Sequence, residues 1–232
     1  MTQRAVDSVD AALYLNEMSV PSKPCWTFRA PQEAAIQKFA GGLRDAEVAP
    51  PFSYLEVGAS RHNSERPRGY ALDHNRVQIG TGVADFEAAC AAIRGWRMFP
   101  APWTRIAPAD SPIEVGEIVV MQARALGLWW MNAARIVYTI DEHGPGSVRR
   151  FGFAYGTLMA HVEEGEERFS VELHEDGSVW YDLRAFSRPR YWPVQIGKRI
   201  ARRLQARFVR ESQAAMRTAV ASGRTGRSRV PA

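Results

Sequence analysis

His161 stands beside Glu163, Glu164, Glu166 and Glu167, and an imidazole next to carboxylates can transfer protons near neutral pH or hold a divalent metal. Such a cluster more commonly forms a solvated acidic hairpin turn, and it is read so here. Glu172 and Arg184 fall on segments that read as adjacent strands, where opposite charges make an ordinary cross-strand ion pair. Turned inward, the same two groups would anchor a ligand. Trp129, Trp130, Tyr138, Phe153, Tyr155, Trp180 and Tyr181 form a dense aromatic supply that either fills a core or lines an apolar pocket.

Other chemistries find no support. Gly80 and Gly82 suggest a phosphate-cradling turn, but Asp85 occupies the place of the third glycine and no strand–helix–strand repeat follows. Neither a nucleophile elbow nor a P-loop pattern occurs, and no cofactor-binding motif is present. Cys25 and Cys90 lie far apart and outside any paired-cysteine spacing, which argues against a disulfide framework or a zinc site. The sequence therefore names no reaction, no metal and no cofactor.

Placement of these groups depends on the segments that carry them. Pro31 to Leu43 reads as a helix with Ala35, Phe39 and Leu43 on one face. Residues 1–24 read as a short helix followed by a Pro-containing linker. Ala71 to Ile79 reads as a strand, and Val83, Phe86, Cys90, Ile93 and Trp96 then repeat at helical spacing, with Asp85 and Glu87 in the first turn where the dipole favours acids. Pro100, Pro102, Pro108 and Pro112 mark an irregular connection leading to a strand at Glu117 to Ala123.

Four further strands follow. Arg135 to Ile140 closes at a turn over residues 142–146, and Arg150 to Leu158 alternates bulky Phe151, Phe153 and Tyr155 with small Gly152, Ala154 and Gly156. Phe169, Val171 and Leu173 alternate with Arg168, Ser170 and Glu172, Asp176-Gly177 supplies a hairpin turn, and Val179 to Phe186 returns. Ile196, Ile200, Leu204 and Phe208 then stack at four-residue spacing, an apolar stripe that must lie on the sheet. The fold class is α+β: a helix-grip architecture in which a curved antiparallel sheet carries a long C-terminal helix packed across it, with an N-terminal helical extension. Residues 1–45 read as that extension, 46–222 as the domain and 223–232 as a disordered basic tail.

Charge divides along the chain. Residues 190–232 hold eleven Lys and Arg against one acid, Glu211, a local balance of +10 within a net charge of +5, so the remainder sums to −5. A basic end of this kind attracts phosphates, but a solvated helix face has the same composition. Weak, non-specific nucleic-acid binding is expected from it. The run from Glu117 to Ile140, the most apolar, is broken by Gln122, Arg124, Asn132 and Arg135, and no membrane span is predicted. The first twenty residues show no signal-peptide core, and with two isolated cysteines a cytoplasmic location is expected. Nothing in the sequence sets an oligomeric state.

Several blocks also agree, in order and spacing, with a known family. Phe52-Ser53-Tyr54-Leu55-Glu56-Val57-Gly58-Ala59, Arg97-Met98-Phe99-Pro100, Gly127-Leu128-Trp129-Trp130, and Phe151-Gly152-Phe153-Ala154-Tyr155-Gly156-Thr157-Leu158 leading to His161 resemble the DUF1990 family, also called UPF0548. The resemblance spans about Phe52 to Val220. It implies a fold like the START and Bet v 1-like group and says nothing about chemistry. The expected function is binding of an apolar or aromatic small molecule between sheet and C-terminal helix, with Trp130, Tyr138, Phe153, Tyr155, His161, Tyr181, Arg184 and Phe208 as ligand-binding residues. A nucleic-acid or anionic-surface module using the Arg-rich helix is the first alternative. An enzyme using His161 and its carboxylates is the second.

Overall fold

The computed structural model describes residues 21–62, 67–100, 102–143, 148–190 and 198–227. Among these, eight strands form one antiparallel sheet: β1 (Cys25–Thr27), β2 (Ala71–Thr81), β3 (Thr104–Ala107), β4 (Ile118–Ala125), β5 (Leu128–Glu142), β6 (Arg149–Thr157), β7 (Glu163–Leu173) and β8 (Ser178–Pro189). Their order across the sheet is β2-β8-β7-β6-β5-β4-β3, with β1 paired to β5. Helices α1 (Glu33–Arg44), α2 (Gly82–Arg94) and α3 (Lys198–Arg227) complete the architecture. Helices α2 and α3 pack on one face of the curved sheet, which is the helix-grip arrangement, and α1 packs on the other. No helix among the described residues is long and apolar enough to cross a membrane.

Strand alternation creates the two faces. On the inner face Phe153, Phe169, Val171 and Tyr181 meet Phe86 and Ile93 of α2 and Met216 and Val220 of α3. On the outer face Ile36, Phe39 and Leu43 of α1 meet Ile118, Val120, Met131 and Ala133. Residues 25–44 are therefore hydrogen-bonded and packed into the same body as the sheet.

Several elements differ from the sequence reading. The irregular Pro-rich connection contains the four-residue edge strand β3, whose flanking prolines sit where no ladder hydrogen bond is needed. Strand β5 runs from Leu128, well before Arg135, and forms a hairpin with β4 through Leu126 and Gly127, both at positive φ of 54° and 79°. Burial on both faces from Met131 to Ala134 removes the alternation that would have revealed it. Helix α3 continues past Ser222 to Arg227. The helix expected in residues 1–20, the turn at 144–146, Ile196 and residues 228–232 lie outside the described residues.

A buried carboxylate organises the outer face. Glu166 of β7 is 2% exposed and accepts hydrogen bonds from the Tyr54 hydroxyl at 2.7 Å, the Gly58 N–H at 2.8 Å, the Ser60 N–H at 3.0 Å and the Ser60 hydroxyl. Arg168 on the same face donates to the Ser60 and Arg61 carbonyls at 3.1 and 3.2 Å. The segment around residues 54–61 is thereby fastened across β7. Gly156 makes room for it, because a Cβ there would overlap the Tyr54 hydroxyl. Gly156→Ala should therefore cost about 2–4 kcal/mol in urea unfolding, the usual range for overpacking combined with a lost buried hydrogen bond. In a Tyr54→Ala background the same substitution should cost markedly less, since the two residues share one volume.

Candidate functional site

The inner face is filled under α2 and open under the first described turns of α3. A cavity of about 650 Å³ lies there, walled by Phe99, Trp103, Trp130, Tyr155 and Phe208 and by the aliphatic side chains of Met121, Leu183 and Leu204. Leu126, 73% exposed, and Ile200 both line it and remain accessible. They mark its mouth between the β4–β5 hairpin and α3.

The polar groups come chiefly from β7, and alternation decides which ones. Glu163, Gly165 and Glu167 share the parity of Phe169 and Val171 and so face the cavity. Glu166 shares the parity of Arg168 and faces outward. These residues belong to a strand, which corrects the reading of an acidic hairpin turn. Tyr155 on β6 is paired directly with Glu167 in the ladder, and its hydroxyl donates to the Glu167 carboxylate at 2.7 Å. Glu163 accepts from the Gln205 amide of α3 at 2.9 and 3.2 Å. Asp73 of β2 holds Arg202 of α3 at 2.7 Å. His161, in the β6–β7 connection, has Nδ1 3.0 Å from both the backbone N–H and the carbonyl of Glu163.

Burial sets the protonation of these groups. It raises Glu167 to about 7, with the Tyr155 hydrogen bond opposing. It raises Glu163 as well, against the Gln205 hydrogen bond, and pushes the Tyr155 phenol well above its ordinary value, with the Glu167 charge adding to the effect. It lowers His161 to about 4, so the imidazole is neutral at pH 7. Glu167 is half-buried and lines the cavity. No three His, Cys, Asp or Glu side chains among the described residues are grouped to hold a metal ion.

Half of the sequence-predicted ligand residues line this cavity: Trp130, Tyr155, His161 and Phe208. Phe153 and Tyr181 share the inner face but lie where it is filled, Phe153 with its ring centroid 4.9 Å from that of Trp96 and Tyr181 hydrogen-bonded to Ser212 at 2.9 Å. Tyr138 is on the outer face. A bulge between Ile136 and Tyr138 reverses the alternation of β5, so Ile136 points inward while Tyr138 points outward and meets the Ser60 hydroxyl at 2.6 Å. Arg184 is also on the outer face, opposite Arg168 in the ladder. The expected Glu172–Arg184 pair does not form, since the register places Glu172 opposite Trp180, four residues away, and Glu172 instead pairs with Arg76 at 2.6 Å and Arg150 at 3.1 Å.

Sequence reasoning missed Glu163 and Glu167 as cavity residues, although extending the alternation of Phe169 and Val171 by three steps and one step respectively would have turned them inward. Gln205, Asp73, Phe99 and Trp103 carried no signal of their own. Gly80 and Asp85 form a structural corner: the Asp85 carboxylate accepts from the Thr81 N–H at 2.7 Å, and a Cβ on Gly80 would collide with it.

The opposed shifts of Glu167 and His161 give a test with a definite sign. Glu167 keeps its proton in the folded state up to about pH 7, whereas the unfolded chain loses it near 4.5, so its contribution is full below 4.5 and drains away as pH rises through 7. His161 stays neutral down to about 4 when folded but charges near 6.5 when unfolded, so its contribution is full above 6.5 and is lost as pH falls through 4. Glu167→Gln should make stability climb more steeply with pH than in the wild type, by about 2 kcal/mol between pH 4.5 and 7. His161→Asn should tilt the curve the other way. Urea unfolding across this range measures both slopes.

Residues 53–215 match the family described as "Domain of unknown function (DUF1990)". The chain is similar to a UPF0548 protein of Dictyostelium discoideum, 35% identical over 212 residues that cover 86% of this chain and 98% of that one. It is similar to a UPF0548 protein of Deinococcus radiodurans, 37% identical over 172 residues that cover 69% of this chain and 81% of that one. Among solved structures, the crystal structure of Ara h 8.0201 aligns with a TM-score of 0.41 at 12% identity, covering 66% of this chain and 99% of that one. At that score the sheet order and helix placement above, and not the superposition, define the architecture.

Proposed function

This chain belongs to the DUF1990 family, whose description assigns no activity, and from that premise we propose that it binds a predominantly apolar or aromatic small molecule in the cavity under α3. The cavity itself carries this assignment. A void of about 650 Å³ lies in the range of small-molecule sites, roughly 300–1,000 Å³, whereas interiors without a ligand role are packed with few voids larger than a water molecule. Its walls are aromatic and aliphatic apart from one polar patch, the composition that buries an organic body and orients one end of it.

The Arg-rich helix supports nucleic-acid binding less well. Arg202, Arg203, Arg207 and Arg210 are exposed, but Arg202 is paired with Asp73, and Arg207 is paired with Glu211 at 2.7 Å and stacks on Trp103 at 4.5 Å. Part of the charge is already matched within the protein. Any binding to DNA or RNA should be non-specific and fall roughly tenfold or more between about 50 and 200 mM salt, as counterion release dictates. Sequence-selective binding that survives physiological salt would displace the small-molecule assignment.

The direct test uses a neutral aromatic probe, N-phenylnaphthylamine. Its fluorescence should rise on binding, and saturating probe should raise the melting temperature by roughly 5–10 °C at about a hundredfold excess over the dissociation constant. Ala123→Trp, which places an indole in the cavity, should abolish both signals. Probe binding that persists in this variant would place the ligand elsewhere.

A further inference from the structure

The chemistry of the cavity's polar patch goes further than its shape and selects a class of ligand. Every ionisable group that β2 and β7 turn toward the cavity accepts hydrogen bonds, beside the Asn75 amide of β2. Glu163 and Glu167 do so from β7 and Asp73 from β2, and the Tyr155 hydroxyl spends its proton on Glu167 and offers only lone pairs. Two of the donors that α3 brings to the cavity are engaged within the protein, while the Gln213 amide also lines it. Arg202 holds Asp73 at 2.7 Å, and the Gln205 amide is divided between Glu163 and the Ser187 hydroxyl at 3.4 Å. Arg210, on the same helix, borders the cavity from an exposed position. His161 contributes a neutral ring already engaged with the backbone of Glu163. Among the described residues, neither Glu163 nor Glu167 forms an ion pair with any Lys or Arg, and the donor to Glu167 is the Tyr155 hydroxyl.

A carboxylate enclosed without a counter-charge is costly, because desolvation penalises the ion and one neutral hydrogen bond does not repay it. Other well-buried acids among the described residues solve the problem internally, Glu166 with four donors and Glu164, Glu172 and Asp182 with arginines. Glu167 is left at the wall of an aromatic chamber with the opposite sign missing. Resting on the cavity assignment above, we infer that the missing charge is brought by the ligand: an organic amine, bound as its ammonium ion, donating to Glu167 with Glu163 adding to the negative field, while its apolar body packs against Trp130, Phe99 and Phe208. An ammonium group has only donors and a full positive charge, and so complements the two carboxylates of β7. The aromatic walls add cation–π attraction where the ammonium borders a ring face. An anionic ligand would meet like charge and would have to find its donors on the rim arginines instead.

The experiment is competition against bound N-phenylnaphthylamine at about pH 8, where Glu167 is mostly ionised and an alkylamine is still charged. The competitors are matched in size: a naphthyl-ethylamine, the isosteric naphthyl-ethanol, the corresponding methyl ketone and the naphthyl-acetate. The amine should displace the probe at least about tenfold more tightly than the other three. Glu167→Gln, which keeps the shape and the hydrogen bond to Tyr155 but removes the charge, should lower amine affinity to the level of the alcohol and leave the alcohol unchanged. Retained alcohol binding also shows that the variant is folded. If the alcohol, ketone or acetate competes as well as the amine, or if Glu167→Gln leaves the preference intact, the amine inference is overturned while the cavity assignment stands. If no member of the series displaces the probe, and the probe itself does not bind, both fall together.

Discussion

Strand β7 buries acids on both of its faces, and the demand that each buried carboxylate find compensation governs the rest of the structure. On the outer face Glu166 is compensated completely. Four donors from residues 54–60 converge on it, each bond to an ionised acceptor stronger than a neutral one. To deliver them the chain must fold back over β6, β7 and β8, which places Tyr54 on Gly156 and brings its ring within 5.7 Å of Phe186. The Tyr54 phenol is in consequence held well above its ordinary pKa by burial and by the Glu166 charge beside it. Removing Glu166 would strand several donors at once, so the segment and the strand are one cooperative unit.

On the inner face the compensation stops short. Glu163 is met by the Gln205 amide, the Ser187 hydroxyl and the Arg202 charge and Glu167 by one hydroxyl, and burial raises both pKa values against these interactions. This follows from what covers them. Under α2 and the later turns of α3 the sheet meets Phe86, Ile93, Met216 and Val220, and the space closes around Phe153, Val171 and Tyr181. Under the earlier turns of α3 the helix presents Leu204, Gln205 and Phe208 over a chamber whose opposite wall is Trp130 and the β4–β5 hairpin. The filled half supplies the packing that holds the sheet's curvature. The open half can then remain empty, and a place where stability is left unclaimed by the protein is a place where a ligand can supply it.

Electrostatics follow the same division. The outer face of β2, β7 and β8 carries alternating charges in close pairs, among them Arg168 with Asp182 at 3.1 Å, His74 with Asp182 at 2.8 Å and Arg76 with Glu172 at 2.6 Å. These fix register and keep a broad polar sheet surface neutral on balance. Arg202 and Arg210 of α3 border the cavity, and Glu163 and Glu167 lie within it.

The sequence by itself determined the order of most strands, the amphipathic helix that follows them and the class of fold, because alternation and four-residue spacing are local properties that survive in one dimension. Phe169, Val171 and Leu173 already identify the inner face of β7, and Asp176-Gly177 already identifies a hairpin. Trp130, Tyr155, His161 and Phe208, named from the sequence by residue type, line the cavity. Only the tertiary structure decided the rest. Whether Phe153 and Tyr181 border a cavity or fill a core depends on where α2 lies across the sheet. Whether Tyr138 faces in or out depends on a single extra residue in β5, which reverses every side chain beyond it. The β4–β5 hairpin was hidden because strands covered on both faces lose their alternation. Which acids are satisfied was likewise settled in space, since the donors of Glu166 come from more than a hundred residues away and the donor of Glu167, Tyr155, comes from the neighbouring strand.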